Sequence, residues 1–282
     1  MEKPRILVIL GPTASGKSDI AVALAKKLNG EVVSADSRQI YKGLDIGTGK
    51  ITKKEMGGVP HYLLDVASPV KYFSVTEFQV KAYKAIDNIL KRGKLPILCG
   101  GTGFYIQSIV DGLIFPEAKV DMKLRAKLSK MSADSLFELL EKLDKKRASE
   151  IDPRNKVRVI RAIEIIQMFG KVPKIEARPQ YKAFQIGIKW SDKRTIERIA
   201  IRLEKRLKIG MLKEAELLHK KGLSWKRMEA LGLEYRYMAY HLQKKISYDE
   251  MVRQLNTASR QYAKRQMTWF KRDGRIAWFE ME

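Results

Sequence analysis

The chain holds one cysteine and three histidines in 282 residues. A lone Cys99 excludes a disulfide framework, and no Cys/His cluster has the spacing of a structural zinc site. His61, His219 and His241 share no spacing that suggests a metal or a triad. Long apolar runs are missing too: none approaches the roughly 20 residues a bilayer requires. The apolar stretch of MEKPRILVIL runs into a glycine loop with no cleavage-type site, so it reads as a buried first strand and not a signal peptide. These absences lead us to expect a cytoplasmic protein with no membrane association.

Positive charge is what the chain has in excess. Its formal net charge is +24, and 45% of its residues are hydrophobic, enough to bury a sizeable core. Residues 1–117 contain 16 Lys and Arg against 11 Asp and Glu, whereas residues 118–282 contain 40 against 21. Solvated helix faces would account for part of this. The alternative is a polyanionic partner gripped mainly by the second half, through phosphate neutralisation.

Residues 11–18, GPTASGKS, match Gly-x-x-x-x-Gly-Lys-Ser between a hydrophobic strand (RILVIL, 5–10) and a helix-forming run (SDIAVALAKKL, 18–28). In that context Gly11 and Gly16 let successive backbone N–H groups of Pro12–Ser18 turn inward as an anion nest, proline excepted. Lys17 adds a point charge for terminal phosphate oxygens, and Ser18 is placed to ligate Mg²⁺. Further strands are expected at 31–35 and 95–99, with a helix over 74–93 between them. There Ser74 and Glu77 have capping-box spacing, and Phe78, Ala82, Ala85, Ile86 and Ile89 share a face. This alternation predicts an α/β fold, a phosphate-loop parallel sheet flanked by helices. Residues 117–182 read as a mainly helical insertion, with a loop at 171–180. Strands at 183–190 and 275–280 return the chain to the core, which spans 1–116 and 183–282.

Strand ends in such sheets line the ligand crevice. The strand at 31–35 therefore presents Asp36 as a metal partner or general base, or simply as the cap of the next turn. The strand at 95–99 runs into Gly100-Gly101-Thr102-Gly103, where a ligand can approach the backbone closely and Thr102 offers a hydroxyl. Neither strand closes in Asp-Glu or Asp-Asp, which disfavours a hydrolytic ATPase.

GPTASGKS, VVSADSRQIYKGLDIGTGK (32–50), HYLLDV (61–66), PILCGGTGFYIQSIVDGL (96–113), NKVRVIRAIE (155–164), ISYDEM (246–251) and ASRQYAKRQMTWFKR (258–272) occur in that order. Together they resemble the bacterial tRNA dimethylallyltransferase family over nearly the whole chain. The resemblance implies transfer of a dimethylallyl group from dimethylallyl pyrophosphate to the exocyclic amine of adenosine 37 in tRNAs reading codons that begin with U. It implies that Gly11, Pro12, Thr13, Ala14, Ser15, Gly16, Lys17 and Ser18, with Arg202, hold the diphosphate and Mg²⁺. Asp36 is then the base, and Thr102 orients or contacts substrate. Asp36, Ser37, Arg38, Gln39, Thr102, Arg125, Val157, Arg158, Val159, Ile160 and Arg161 are the implied contacts to the tRNA anticodon stem-loop.

Arg198 lies one helical turn before Arg202. Arg260, Lys264 and Arg265 read as phosphate contacts and Trp269 as packing. Where the family commonly has Ala-Ile-Gly-Tyr, this chain has Ala230-Leu231-Gly232-Leu233-Glu234-Tyr235-Arg236, displacing the tyrosine by two positions. A monomer is the default expectation. The rival readings are an adenylate (AMP, ADP or ATP) isopentenyltransferase, an ATP-dependent small-molecule kinase and a non-enzymatic RNA-binding protein. A mononucleotide acceptor leaves the basic second half without a purpose, and a kinase leaves AKRQMTWF unexplained.

Overall fold

Five consecutive apolar residues of β1 (Arg5–Leu10) are buried, as befits a strand covered on both faces. The computed structural model describes residues 2–116 and 121–282. β1 lies at the middle of a six-stranded sheet with β2 (Gly30–Ser34), β3 (His61–Tyr62), β4 (Leu95–Gly100), β7 (Lys182–Lys189) and β8 (Ile276–Glu280). The order is β3-β2-β4-β1-β7-β8, and every pairing is parallel. Alternate residues serve opposite faces. Ile6, Val8 and Leu10 join the core under the helices Val75–Lys91 and Gly103–Val110. Leu7 and Ile9 pack with Ala21, Val22 and Ala25 of the helix Lys17–Lys27.

The expected helix near 74–93 forms over Val75–Lys91, with the Ser74–Glu77 capping box made and all five predicted face residues buried. Gly93, just past its end, takes φ +68°, a left-handed conformation that suits glycine. Several short elements were not anticipated. β3 has two residues, too few to show a period, and the helix Lys53–Met56 is a single turn closed by a Thr52–Glu55 capping box. Between Asp192 and Phe270 the chain is helical and builds a further core from Leu203, Met211, Tyr235, Met238 and Leu255 against Ile40 and Leu44.

The chain divides into two units, one formed by residues up to Gly112 with Pro179–Glu282, the other by Leu113–Arg178. The sequence placed the insertion at 117–182, a start that lies outside the described residues. The observed limits come earlier because Leu113–Ile114 (β5) pairs antiparallel with Glu176–Ala177 (β6). That clasp joins the two ends of the insertion, and β6 lies inside the stretch expected to be loop. The helices Met122–Ser129, Ala133–Leu143, Lys145–Ser149 and Lys156–Phe169 bury Leu128, Leu136, Leu140, Val159 and Ile163 in a core of their own.

Candidate active site

The phosphate loop turns from β1 into the helix Lys17–Lys27 by way of two glycines. A side chain on Gly11 would collide with the carbonyl oxygen of Ile188 on β7, and Gly16 has φ +87°. Ala14 is also left-handed, at φ +62°. Such alternation turns successive N–H groups to one side. Lys17 folds back so that Nζ donates to the Pro12 carbonyl at 3.1 Å. Burial lowers its pKa, and the neighbouring Arg202 pulls in the same direction. An anion in the loop would relieve both penalties. Ser15 Oγ is buried with no partner among the described residues, a donor without an acceptor.

Side chains from distant segments grip this loop by its carbonyls. Trp190 Nε1 donates to the Ser15 carbonyl at 3.0 Å. Arg198 donates to the Ala14 carbonyl at 2.8 Å while its guanidinium lies 4.5 Å from the Trp190 ring centroid. One turn along the same helix (Asp192–Lys208), Arg202 reaches Thr13 Oγ1 at 3.4 Å and the Gly49 carbonyl at 3.1 Å. Burial lowers the Arg202 pKa and Arg206 adds to the effect, so positive charge is concentrated where water is scarce. Gln266 bridges two loops: its Oε1 accepts from the Thr13 amide, and its Nε2 donates to the Gly101 carbonyl, both at 2.8 Å.

Asp36 follows β2. Its Oδ1 accepts from the amides of Arg38 and Gln39 at 2.8 and 3.3 Å, so the carboxylate does cap the turn. Oδ2 has no hydrogen bond among the described residues, and Asp36 lines the same cavity as the phosphate loop. Capping therefore orients the group without consuming it. Thr102 brings its hydroxyl beside the Asp36 turn, as expected. Its Oγ1 accepts from the Ser37 amide at 3.0 Å and lies 3.3 Å from Ser37 Oγ, so it holds the turn that carries Asp36.

The cavity measures about 870 Å³. Thr13–Ser18, Asp36–Gln39, Arg198, Arg202, Arg206 and Arg265 line it, and its cations outnumber its carboxylates, nine to four. His61 is in its wall as well, with Nδ1 at 2.8 Å from the Val59 carbonyl and a pKa lowered by burial. Among the described residues no three His, Cys, Asp or Glu side chains come together to hold a metal.

The expected tRNA contacts of the insertion separate into two groups. Val157 and Arg158 are exposed. Val159 and Ile160 are not: they are spent on the insertion's core, and their side chains are closed to a partner. Arg125 makes a two-pronged ion pair with the buried Glu164 at 2.6 and 2.7 Å, and Arg161 reaches the same carboxylate at 3.0 Å. On the last long helix (Tyr248–Phe270), Arg260 and Lys264 are exposed with no ion pair among the described residues. Trp269 packs over Gly103 and onto the core.

Sequence reasoning passed over Trp190 and Gln266. Gln266 lay inside a stretch singled out for its resemblance, but nothing in spacing distinguishes a glutamine that bridges loops from one that faces water.

An anion nest with a lysine at the head of a helix, opening on one cavity with a free carboxylate oxygen at the ends of parallel strands, defines an α/β protein of the phosphate-loop class. Residues 39–273 match the IPP transferase family, and the chain belongs to it. It is 43% identical to a tRNA dimethylallyltransferase 2 of Treponema denticola over 277 residues, covering 96% of this chain and 93% of the relative. It is 40% identical to a tRNA dimethylallyltransferase of Anoxybacillus flavithermus over 283 residues, covering 98% and 90%. Among solved structures, the full-length tRNA isopentenylpyrophosphate transferase of Bacillus halodurans is similar at TM-score 0.75 and 38% identity, covering 99% of this chain and 90% of that one. A eukaryotic dimethylallyltransferase captured acting on tRNA is similar at TM-score 0.81 and 25% identity, covering 98% and 74%.

Proposed function

We infer that this chain transfers the dimethylallyl group of dimethylallyl pyrophosphate to the exocyclic amine of adenosine 37, in tRNAs reading codons that begin with U, releasing pyrophosphate. The observation that carries this reading is the shared cavity: a diphosphate cradle and the free Oδ2 of Asp36 open on the same space.

The amine is a poor nucleophile because its lone pair is delocalised into the ring. Asp36 Oδ2 takes the amine proton as nitrogen bonds to the first carbon of the allyl group, and the carbon–oxygen bond to the diphosphate breaks. The charge left on the departing pyrophosphate develops against Lys17, Arg202 and the loop amides, already fixed before reaction by their bonds to Pro12, Thr13 and Gly49. Thr102 acts as a positioning residue through Ser37. An adenosine stacked in its loop cannot reach this depth, so the base is flipped out into the cavity.

The residues present suit Mg²⁺. Ser18, at the head of the first helix, has a hydroxyl with no hydrogen bond among the described residues, and a hard cation here needs few protein ligands besides diphosphate oxygens and water. When bound, the ion supplies charge neutralisation for the leaving group. The exposed Arg158, Arg260 and Lys264 supply the salt-sensitive grip on the tRNA backbone. No described helix is long and apolar enough to cross a membrane, and a tRNA substrate puts the work in the cytoplasm. We take the acting unit to be the monomer.

A transfer assay tests the reading. Protein, Mg²⁺ and labelled dimethylallyl pyrophosphate are supplied with unmodified tRNA, with AMP and ATP as parallel acceptors. Label confined to adenosine 37 of tRNA is expected. Label in AMP or ATP would make this an adenylate isopentenyltransferase, and ATP consumed with a small acceptor would make it a kinase.

A further inference from the structure

The loop Asp45–Lys50 supplies the carbonyls that hold two of the cavity's arginines, Arg202 and Arg206, and an anion nest holds the loop itself. The amides of Asp45, Ile46 and Gly47 point at one carboxylate, that of Glu214, at 3.0, 2.7 and 2.9 Å. Tyr235 donates its hydroxyl to the same group at 2.6 Å. Each carboxylate oxygen thus takes two hydrogen bonds, and the group's acceptor capacity is filled. Tyr235 is about 1% exposed, and its ring lies against Gly47 so closely that a Cβ there would come within 2.6 Å.

From this anchor the loop reaches the site by three bonds. The Gly49 carbonyl accepts from Arg202 at 3.1 Å and from Gln39 Nε2 at 3.2 Å, and the Gly47 carbonyl accepts from Arg206 at 2.7 Å. Gly49 has φ +59° and lies in contact with the Arg202 guanidinium, so the loop's path and the arginine's position are set together.

We propose that Glu214, with Tyr235, is the positioning residue that sets Arg202 for the donor's diphosphate, acting through the loop Asp45–Lys50. The departure at Ala230–Arg236 then has a physical meaning. Tyr235 faces Glu214 and Gly47 from within the core, so it supports the site from behind and does not touch substrate. The assignment rests on the diphosphate reading of the cavity, but one arm of its test does not require transfer.

The variants are Glu214→Gln and Tyr235→Phe, with Gly47→Ala reaching the same contact from the loop side. Glu214→Gln sets an amide N–H against a donor. Its affinity for inorganic pyrophosphate with Mg²⁺ is expected to fall about tenfold and its KM for the donor to rise alike, a loss on the scale of one charge-assisted hydrogen bond. Its tRNA affinity stays within about threefold of the parent, since no phosphate-contacting cation is removed. Gly47→Ala reproduces the donor defect, and Tyr235→Phe gives a smaller one. In an Arg202→Ala background Glu214→Gln adds no further loss, because the group it positions is gone. Parent-like pyrophosphate affinity in Glu214→Gln, or losses that add fully in the double variant, would overturn the assignment. An absence of tRNA transfer by the parent protein would sink the function reading alone and leave the pyrophosphate comparison to decide on Glu214.

Discussion

The phosphate-loop end of the core and the insertion use cations in opposite ways. In the core, Lys17, Arg198, Arg202 and Arg206 are half-buried and tied to backbone carbonyls. In the insertion, Arg158 stands in solvent, while Arg125 and Arg161 are held by one buried carboxylate. A desolvated, fixed charge interacts strongly with a small dense anion, and only in one geometry. An exposed one binds weakly and tolerates an extended, mobile polyanion. On the proposed function, the same residue type serves a small diphosphate in one region and a nucleic-acid backbone in the other.

The comparison breaks most sharply at Asp36. Replacing it by Ala is expected to lower transfer by about 10²–10⁴, the range for a general base, with tRNA binding within about tenfold. Single-turnover assays alongside filter binding would read both, and an active variant would remove Asp36 as the base.

A buried charge that does no ligand work sharpens the contrast from the other end of β2. Glu31, about 1% exposed, accepts from Arg92, Lys94 and Tyr62. Its hydrogen bonds with Arg92 are the main cause of a pKa lowered to about 2, against 4.5 for an unperturbed glutamate. A depressed carboxylate stabilises the fold above its unfolded pKa, and that stability is lost as pH falls from about 4.5 toward 2. Roughly 2–3 kcal/mol is at stake. Denaturation midpoints at pH 6 and pH 3 should separate in the parent and draw together in Glu31→Gln, while pyrophosphate affinity at neutral pH stays unchanged.

The smallest effect is expected at Arg158. Its replacement by Ala should weaken tRNA binding a few-fold and flatten the slope of log affinity on log salt by about 0.7–0.9. A slope equal to the parent's would move the tRNA surface away from the helix Lys156–Phe169.

Much of this was legible along the chain. RILVIL, the capping box at Ser74 and the glycine–lysine loop are local signals, and each produced the element it announced. Val159 and Ile160 turn their side chains inward, and a contiguous motif does not say which residues of a helix do so. Thr102 was legible as a hydroxyl beside Asp36, but its hydrogen bond to the Ser37 amide was not. Glu214 carried no signal at all. It lies on an amphipathic helix (Met211–Lys220) where a glutamate ordinarily faces water, and its three amide partners are far away in sequence.

By itself the sequence determined the five longer strands, the anion-binding turn and the excess of positive charge, since these depend on neighbouring residues and on composition. Tertiary structure decided which arginines leave water, which oxygen of Asp36 stays free and which glutamate holds the loop Asp45–Lys50. Those outcomes depend on groups brought together from distant segments, and periodicity along a chain carries no record of such meetings.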